Sequence, residues 1–284
     1  MGIRPVADLK HKTLNIERMM IVEQMLKNAQ TPLLHIADVS GSALFQGDCL
    51  EIMPLIPDKS VQLILADLPY GTTACKWDSI IDLDLLWKQY KRIIKDNGAI
   101  VLTASQPFTT KLISSNYEMF KYEWIWKKEN ATGFQLANVM PLKSHENILV
   151  FSKGFTYPNT KNKMIYNPQG IELNTKKRAK RGNKGSYLTD SGCKTDEYVP
   201  KYKKYPKSVL EINTERKKGN HPTQKPLELM KYLISTYSNE NDMVLDNTMG
   251  SGTTCLAAKE LNRKFIGIEK EPKYYEIACQ RCGF

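Results

Sequence analysis

Three stretches of this sequence carry residue types at spacings that can do chemistry. Asp67-Leu68-Pro69-Tyr70-Gly71 closes the apolar run Leu63-Ile64-Leu65-Ala66. Its carboxylate can accept one N–H of an exocyclic amine, the rigid turn can present a backbone carbonyl to the other, and the tyrosine ring can stack on a planar face. That combination suits a nucleobase bearing an amino group. Asp246-Asn247-Thr248-Met249-Gly250-Ser251-Gly252-Thr253-Thr254 follows Met243-Val244-Leu245 and opens a helical pattern. Gly250 and Gly252 let a ligand approach the backbone closely, and a helix N-terminus favours a carboxylate or phosphate. Glu269 ends Phe265-Ile266-Gly267-Ile268, 23 residues after Asp246. An acidic side chain at about that spacing grips ribose hydroxyls in nucleotide-binding folds. Glycines also serve plain turns and glutamates also face solvent, so it is the agreement of the two signals that points to an adenosine cofactor. They do not separate a dinucleotide from another cofactor of that class.

Ligands of an open α/β sheet bind beyond the carboxyl ends of its strands, so these residues need strands that end where they begin. The pattern supplies them. Strands are predicted at Ala43–Gln46, Val61–Ala66, Ala99–Leu102, Tyr122–Trp126, Asn147–Phe151, Met243–Leu245 and Lys264–Ile268. Helices are predicted at Thr13–Gln30, Cys49–Leu55, Leu83–Lys95 (stopped by Asn97-Gly98), Gln106–Ser114, Pro226–Tyr237, Thr253–Leu261 and Pro272–Cys282. Short strands alternating with helices mean a parallel, doubly wound α/β sheet. The stretch Phe155 to Lys218 breaks the rhythm and is too long for an ordinary loop, which makes it an inserted subdomain or binding segment.

Charge singles out the same stretch. The 284 residues carry 41 Lys plus Arg against 30 Asp plus Glu, a net charge of +11. Between Gly154 and Asn220 stand 16 basic and 6 acidic residues, leaving 25 and 24 elsewhere. A near-neutral body with one basic segment fits a polyanion partner, although a solvated loop has the same composition. No apolar run approaches the roughly 20 residues of a membrane span, and the N-terminus has no apolar secretory core. A soluble intracellular protein is expected. Cys279 and Cys282 have the spacing of half a zinc site, but no second pair stands near them and the four histidines are at no ligand spacing, so no metal is expected.

On these motifs the sequence resembles the amino-directed DNA methyltransferases that use S-adenosylmethionine. Asp67-Leu68-Pro69-Tyr70 looks like their Asp-Pro-Pro-Tyr catalytic motif, with Leu68 in place of the first proline. Asp246 to Thr254 looks like their cofactor loop, usually Asp-Pro-Phe-x-Gly-Ser-Gly-Thr-Thr, with Asn247 and Thr248 departing from it. His221-Pro222-Thr223-Gln224-Lys225-Pro226 matches a family segment residue for residue, and Gly47-Asp48-Cys49-Leu50 resembles the turn near the cofactor's adenine. The resemblance covers about residues 43–153 and 221–284. The catalytic motif precedes the cofactor loop, as in the circularly permuted β group.

The resemblance implies a Rossmann-like methyltransferase sheet and four regions: an N-terminal helical extension (1–42), a catalytic half (43–153), a target-recognition insertion (154–220) and a cofactor-binding half (221–284). It implies that a base of double-stranded DNA is swung out and held by Asp67, the carbonyl of Leu68 or Pro69, and Tyr70. Cofactor contacts are implied for Asp48, Cys49, Asp67, Lys225, Asp246, Asn247, Thr248, Gly250, Ser251, Gly252, Thr253, Thr254 and Glu269. Lys225 is expected at the methionine carboxylate, Glu269 at the ribose and Asp48 at the adenine edge. Lys176, Lys177, Arg178, Lys180 and Arg181 are expected on DNA phosphates. The Asp-first motif goes with N6 of adenine, and N4 of cytosine is the alternative. A cytoplasmic protein of a bacterium, phage or mobile element is implied, with a homodimer and a cognate restriction endonuclease as further partners. A nicotinamide dehydrogenase leaves the Asp67 turn and basic segment unexplained. A glutamine-directed protein methyltransferase normally opens that turn with Asn. A DNA-binding module with a relic cofactor site shares every motif.

Overall fold

The structure is a computed structural model that describes residues 21–29, 34–38, 40–71, 79–174, 201–213 and 224–284. Its nine-stranded sheet comprises β1 (His35–Ala37), β2 (Ala43–Gln46), β3 (Val61–Asp67), β4 (Ile94–Ala104), β5 (Phe120–Thr132), β6 (Lys143–Phe151), β9 (Val209–Glu211), β10 (Met243–Asp246) and β11 (Lys264–Glu269). The spatial order is β1-β2-β11-β10-β3-β4-β6-β5-β9. The central strands β2, β11, β10, β3 and β4 are mutually parallel, and β6 and β5 extend the sheet antiparallel. Strand β3 shows why it is central. Val61, Ile64 and Ala66 belong to one buried cluster and Leu63 and Leu65 to the other, so an apolar run covers both faces.

Helices α1 (Cys49–Ile52), α2 (Leu83–Ile93), α3 (Phe108–Ser115), α4 (Leu227–Tyr237), α5 (Thr253–Glu260) and α6 (Pro272–Cys282) accompany the strands. Helix α2 is amphipathic, with Leu86, Trp87, Tyr90 and Ile93 buried, and Asp82 caps its N-terminus by accepting from the Leu85 amide at 3.0 Å. The doubly wound α/β sheet read from the sequence is the observed one.

Three features differ from the sequence reading. Asn97-Gly98 does not stop a helix: α2 ends at Ile93 and β4 begins at Ile94. A Cβ on Gly98 would stand 2.7 Å from the Gln62 carbonyl, so the glycine answers a close backbone approach inside the sheet. The β5–β6 hairpin runs well past the predicted strands, because the polar stretch after Trp126 shows no alternation to betray it. Strand β1 lies within the predicted helical extension. For the helix expected at Thr13–Gln30, residues 21–28 are helical and residues 13–20 lie outside the described residues.

The predicted insertion is divided. Contacts separate Pro168–Lys207 as a compact unit of its own, while Gly154–Asn167 and Ser208–Asn213 belong to the main unit. Strand β9 accounts for part of this, since Val209, Leu210 and Glu211 pair in parallel with Ile125, Trp126 and Lys127. Within the smaller unit, β7 (Glu172–Leu173) and β8 (Tyr202–Lys203) pair antiparallel, and Lys204 binds Glu172 at 2.5 Å. Among the described residues, no helix is long and apolar enough to cross a membrane.

Candidate active site

Strands β3 and β4 run in register with Asp67 opposite Thr103. From the Leu63–Ala99 pair to the Ala66–Leu102 pair both are apolar, so Asp67 and Thr103 are the polar pair that closes this run at the carboxyl edge of the sheet. The Thr103 hydroxyl donates to Asp67 Oδ1, and the Tyr70 hydroxyl donates to the same oxygen at 2.8 Å. Lys225 Nζ donates to Oδ2 at 2.6 Å and lies 3.4 Å from Glu146 Oε2. Glu146 in turn pairs with Lys128 across the β5–β6 hairpin. The result is a chain of alternating charges, Asp67–Lys225–Glu146–Lys128, whose Lys225 side chain is only 10% exposed. Phe108 stacks on the Tyr70 ring at 5.4 Å, and the Lys225 ammonium stands 5.8 Å from that ring's centroid.

Burial works against the Asp67 carboxylate, but the Lys225 charge outweighs it, aided by hydrogen bonds from Lys225, Thr103 and Tyr70. Asp67 is therefore held below its ordinary pKa. Burial works equally against the Lys225 ammonium, and the charge of Asp67, with Tyr70 and Glu146, more than offsets it, raising Lys225. The pair is ionised at neutral pH. A carboxylate has about four acceptor positions, and three here are taken. Among the described residues nothing occupies the fourth, on a side chain still 30% exposed, so it can receive an N–H from outside.

The second predicted stretch lies directly beside the first, because β10 pairs with β3. Thr248 Oγ1 donates to the Asp67 carbonyl at 3.2 Å, tying the glycine loop to the Asp67 turn. Gly250 and Gly252 have φ of 52° and 76°, the left-handed region that glycine adopts without strain. A Cβ on Gly252 would also lie 2.9 Å from Ala278 Cβ. Glu269 reaches the loop from β11: its Oε2 accepts from the Gly250 amide and its Oε1 from the Glu271 amide, both at 2.8 Å. Burial pushes the Glu269 carboxyl up. Asp48 caps α1 by accepting from the Leu50 amide at 2.9 Å and pairs with Lys270 at 3.1 Å. The Gly47 amide bonds the Glu269 carbonyl at 2.9 Å, which puts Asp48 next to Glu269.

Asp246, Asn247, Ser251, Thr253 and Thr254 are all buried. Burial drives the Asp246 carboxyl up to about 7, and among the described residues no cation pairs with it. Asn247 Oδ1 accepts from the Tyr90 hydroxyl at 2.5 Å, while its Nδ2 is buried with no oxygen or nitrogen acceptor among the described residues. Cys49 packs nearby, its thiol pushed up to about 11 by burial. Leu68 is buried in the core on one side of the sheet.

Lys225 departs from the sequence reading. The sequence places it at a cofactor carboxylate; here its ammonium is hydrogen-bonded to Asp67 and ion-paired with Glu146. Thr103, Glu146 and Phe108 were not singled out in the sequence. Thr103 and Glu146 had a faint signal, a polar residue at the end or start of an apolar strand. Arg281 had none: from α6 it donates to the Ser251 carbonyl at 2.6 Å, Ser251 Oγ at 2.8 Å and Thr253 Oγ1 at 3.1 Å, clamping the loop from below. Lys176, Lys177, Arg178, Lys180, Arg181 and His221 to Thr223 lie outside the described residues.

A family model described as DNA methylase, of the N6/N4 methyltransferases, matches residues 61–280. The chain belongs to the DNA methylase family. Type II methyltransferase M.HinfI of Haemophilus influenzae is 30% identical over 271 residues, spanning 84% of this chain and 68% of that protein. The crystal structure of M1.HpyAVI with S-adenosylmethionine superposes with a TM-score of 0.59 at 27% identity, covering 85% of this chain and 98% of that one. The PvuII cytosine-N4-specific DNA methyltransferase shares the fold with a TM-score of 0.61 at 17% identity. As a DNA methylase, the chain has its two motif ends in one sheet, with β10 and β11 from the C-terminal part between β2 and β3.

Proposed function

We propose that this chain is a site-specific DNA methyltransferase that moves a methyl group from S-adenosylmethionine to N6 of an adenine swung out of duplex DNA. The observation that carries this reading is Asp67, an ionised carboxylate at the sheet's carboxyl edge with one acceptor position open, hydrogen-bonded through its carbonyl to the glycine loop. Two further features fit the cofactor. Among the described residues, Asp246 is a buried carboxylate lacking a cation, suited to the cofactor's ammonium, and Asn247 Nδ2 is a buried donor with no oxygen or nitrogen acceptor and only the Cys49 thiol beside it. Glu269 and Asp48, side by side, suit ribose and adenine, and Gly250 to Thr254 suit the methionine end. When bound, the cofactor supplies an electrophilic methyl on a sulfonium.

The protein's own residues do the rest. A flipped base offers its amino group to the free acceptor position of Asp67, and a carbonyl of Leu68 or Pro69 takes the second hydrogen. The amine lone pair is thereby aimed and its developing positive charge stabilised, so positioning and electrostatics carry the acceleration. Tyr70, its ring backed by Phe108, stacks on the base. Adenine is preferred to cytosine because position 67 is Asp, and in the resembling family the Asp-first motif goes with adenine. Digestion of methylated DNA to nucleosides, followed by mass spectrometry, tests this: N6-methyladenine is expected, and N4-methylcytosine as the main product overturns the base assignment. The relatives' names, Type II methyltransferases, support a cytoplasmic role beside a cognate endonuclease.

The Asp246 carboxyl gives a pH prediction. Its ordinary pKa is 3.8 and burial lifts it to about 7. Its contribution to folding stability is thus present on the acid side and falls as pH rises from about 4 to 7. A cofactor ammonium on Asp246 reverses that preference. Below pH 7 the ammonium stays protonated, so binding ionises Asp246 and releases up to one proton. Calorimetry at pH 6 in two buffers of different ionisation enthalpy is expected to detect that release, and Asp246→Asn is expected to abolish it. Equal heats in both buffers would remove the cofactor amine from Asp246.

The basic segment is proposed to grip DNA phosphates. Neutralising Lys176, Lys177, Arg178, Lys180 and Arg181 together is expected to weaken DNA binding and to lower the log–log salt slope by roughly 0.9 per lost phosphate contact. An unchanged slope would make this stretch a solvated loop.

A further inference from the structure

The β5–β6 hairpin ends in a turn, residues 133–142, that reads Gly-Phe-Gln-Leu-Ala-Asn-Val-Met-Pro-Leu and holds no charged residue in a chain that is 25% charged. Its apolar side chains face outward: Phe134 is 69%, Leu136 49%, Val139 78% and Met140 54% exposed. The turn is built to hold them there. Gly133 takes φ of 91°, the Leu136 amide bonds the Gly133 carbonyl at 2.9 Å, and the Val139 and Met140 amides bond the Leu136 carbonyl at 2.9 and 3.0 Å. An apolar cluster displayed on an ordered turn marks a contact surface.

The register says where that surface is. Asp67 lies opposite Thr103, and Ala104 lies opposite Asn147 of the antiparallel β6. Residues before Asn147 therefore run past the carboxyl edge that carries Asp67. Lys143, at the root of the turn, is four residues further out, a rise of about 13 Å. The hairpin also joins the catalytic corner directly, through the Lys128–Glu146–Lys225–Asp67 chain. Lys143 stands at the root opposite Thr132, and further in Lys127 and Lys128 are paired with Glu211 and Glu146. The surface is thus apolar at its tip and lined by paired charges and Lys143 at its base, beside the place where a base must leave its stack. A partner that offers stacked apolar planes at the carboxyl edge carrying Asp67 complements the tip and its position. That partner is the DNA duplex.

We propose that Phe134, Leu136, Val139 and Met140 form a wedge that enters the base stack beside the target and fills the space the flipped base leaves. Apolar wedges of this kind unstack neighbouring bases and stabilise a distorted duplex. The proposal rests on the DNA methyltransferase reading.

The test replaces all four residues by serine, Phe134→Ser, Leu136→Ser, Val139→Ser and Met140→Ser, at exposed positions where folding does not depend on them. Initial transfer rates are measured on a duplex bearing the site found by modified-base sequencing, and on the same duplex with a mismatch opposite the target. On the paired duplex the variant is expected to lose about tenfold or more. On the mismatched duplex, where flipping is already favoured, it is expected to come within roughly twofold of the parent. An equal loss on both duplexes, or no loss on either, overturns the wedge. So does light scattering that shows a dimeric parent and a monomeric variant, since the tip would then seat a second copy. A parent that transfers nothing to either duplex overturns the methyltransferase reading and the wedge with it.

Discussion

Asp67→Ala is expected to abolish methyl transfer to DNA while leaving S-adenosylmethionine affinity nearly unchanged. Among the described residues at the end of β3, this carboxylate combines an open acceptor position with a pKa held below the ordinary carboxylate range. Losing one such preorganised group lowers turnover by about 10²–10³. The cofactor loop lies on the neighbouring strand, and its link to position 67 runs through the backbone carbonyl, which alanine keeps. Single-turnover transfer and equilibrium cofactor binding measured on the same preparation separate the two effects. Asp67→Asn controls for the orphaned Lys225, because the amide keeps an acceptor oxygen without the charge. A variant with more than roughly a tenth of the parent rate would show that Asp67 is not the group that holds the amine.

Lys225→Met is the second large effect. Among the described residues Lys225 is the cation between two carboxylates, Asp67 at 2.6 Å and Glu146 at 3.4 Å. Removing it leaves two like charges facing each other and withdraws the main influence that keeps Asp67 ionised. Loss of a charged hydrogen bond of about 1.5–3 kcal/mol corresponds to roughly a 10–100-fold fall in rate. The sign of the pH effect follows. The pKa of Asp67 rises in the variant, so transfer is lost as pH falls through a higher range than in the parent. Lys225→Arg keeps the charge and is expected to recover part of the rate and the parent pH profile. The reading from sequence, in which Lys225 meets the cofactor's carboxylate, predicts otherwise: weaker cofactor binding with an unaltered pH profile. The two profiles decide between them.

That divergence shows what the sequence could and could not carry. The strands ending at Asp67, Asp246 and Glu269 were legible because each is a short apolar run closed by its first acidic residue. Parallel central strands are buried on both faces and so read as unbroken apolar runs. The loop glycines were legible because Gly250 and Gly252 need a backbone conformation few other residues tolerate. The partners of Asp67 were not. Thr103, Glu146 and Lys225 lie 36, 79 and 158 residues from it and come together only through the order of strands β3, β4 and β6 and the approach to α4. Tyr70 was read for its ring, yet its hydroxyl is as engaged as the ring, bonded to Asp67 and 3.2 Å from Thr103 Oγ1. The extended hairpin was hidden for a different reason. Past Trp126 its strands leave the core, so no buried face imposes alternation, and its apolar tip reads like any loop until its exposure is known.

The central claim is tested most directly by transfer of a labelled methyl group. The protein is incubated with S-adenosylmethionine tritiated in the methyl and a mixed-sequence duplex DNA, and label is counted in DNA after protease treatment. The account predicts label in DNA that nuclease releases, saturating at a fixed number of methyl groups per duplex, and absent with Asp67→Ala. Tight cofactor binding with no label in DNA would contradict it and leave a DNA-binding module with a relic cofactor site.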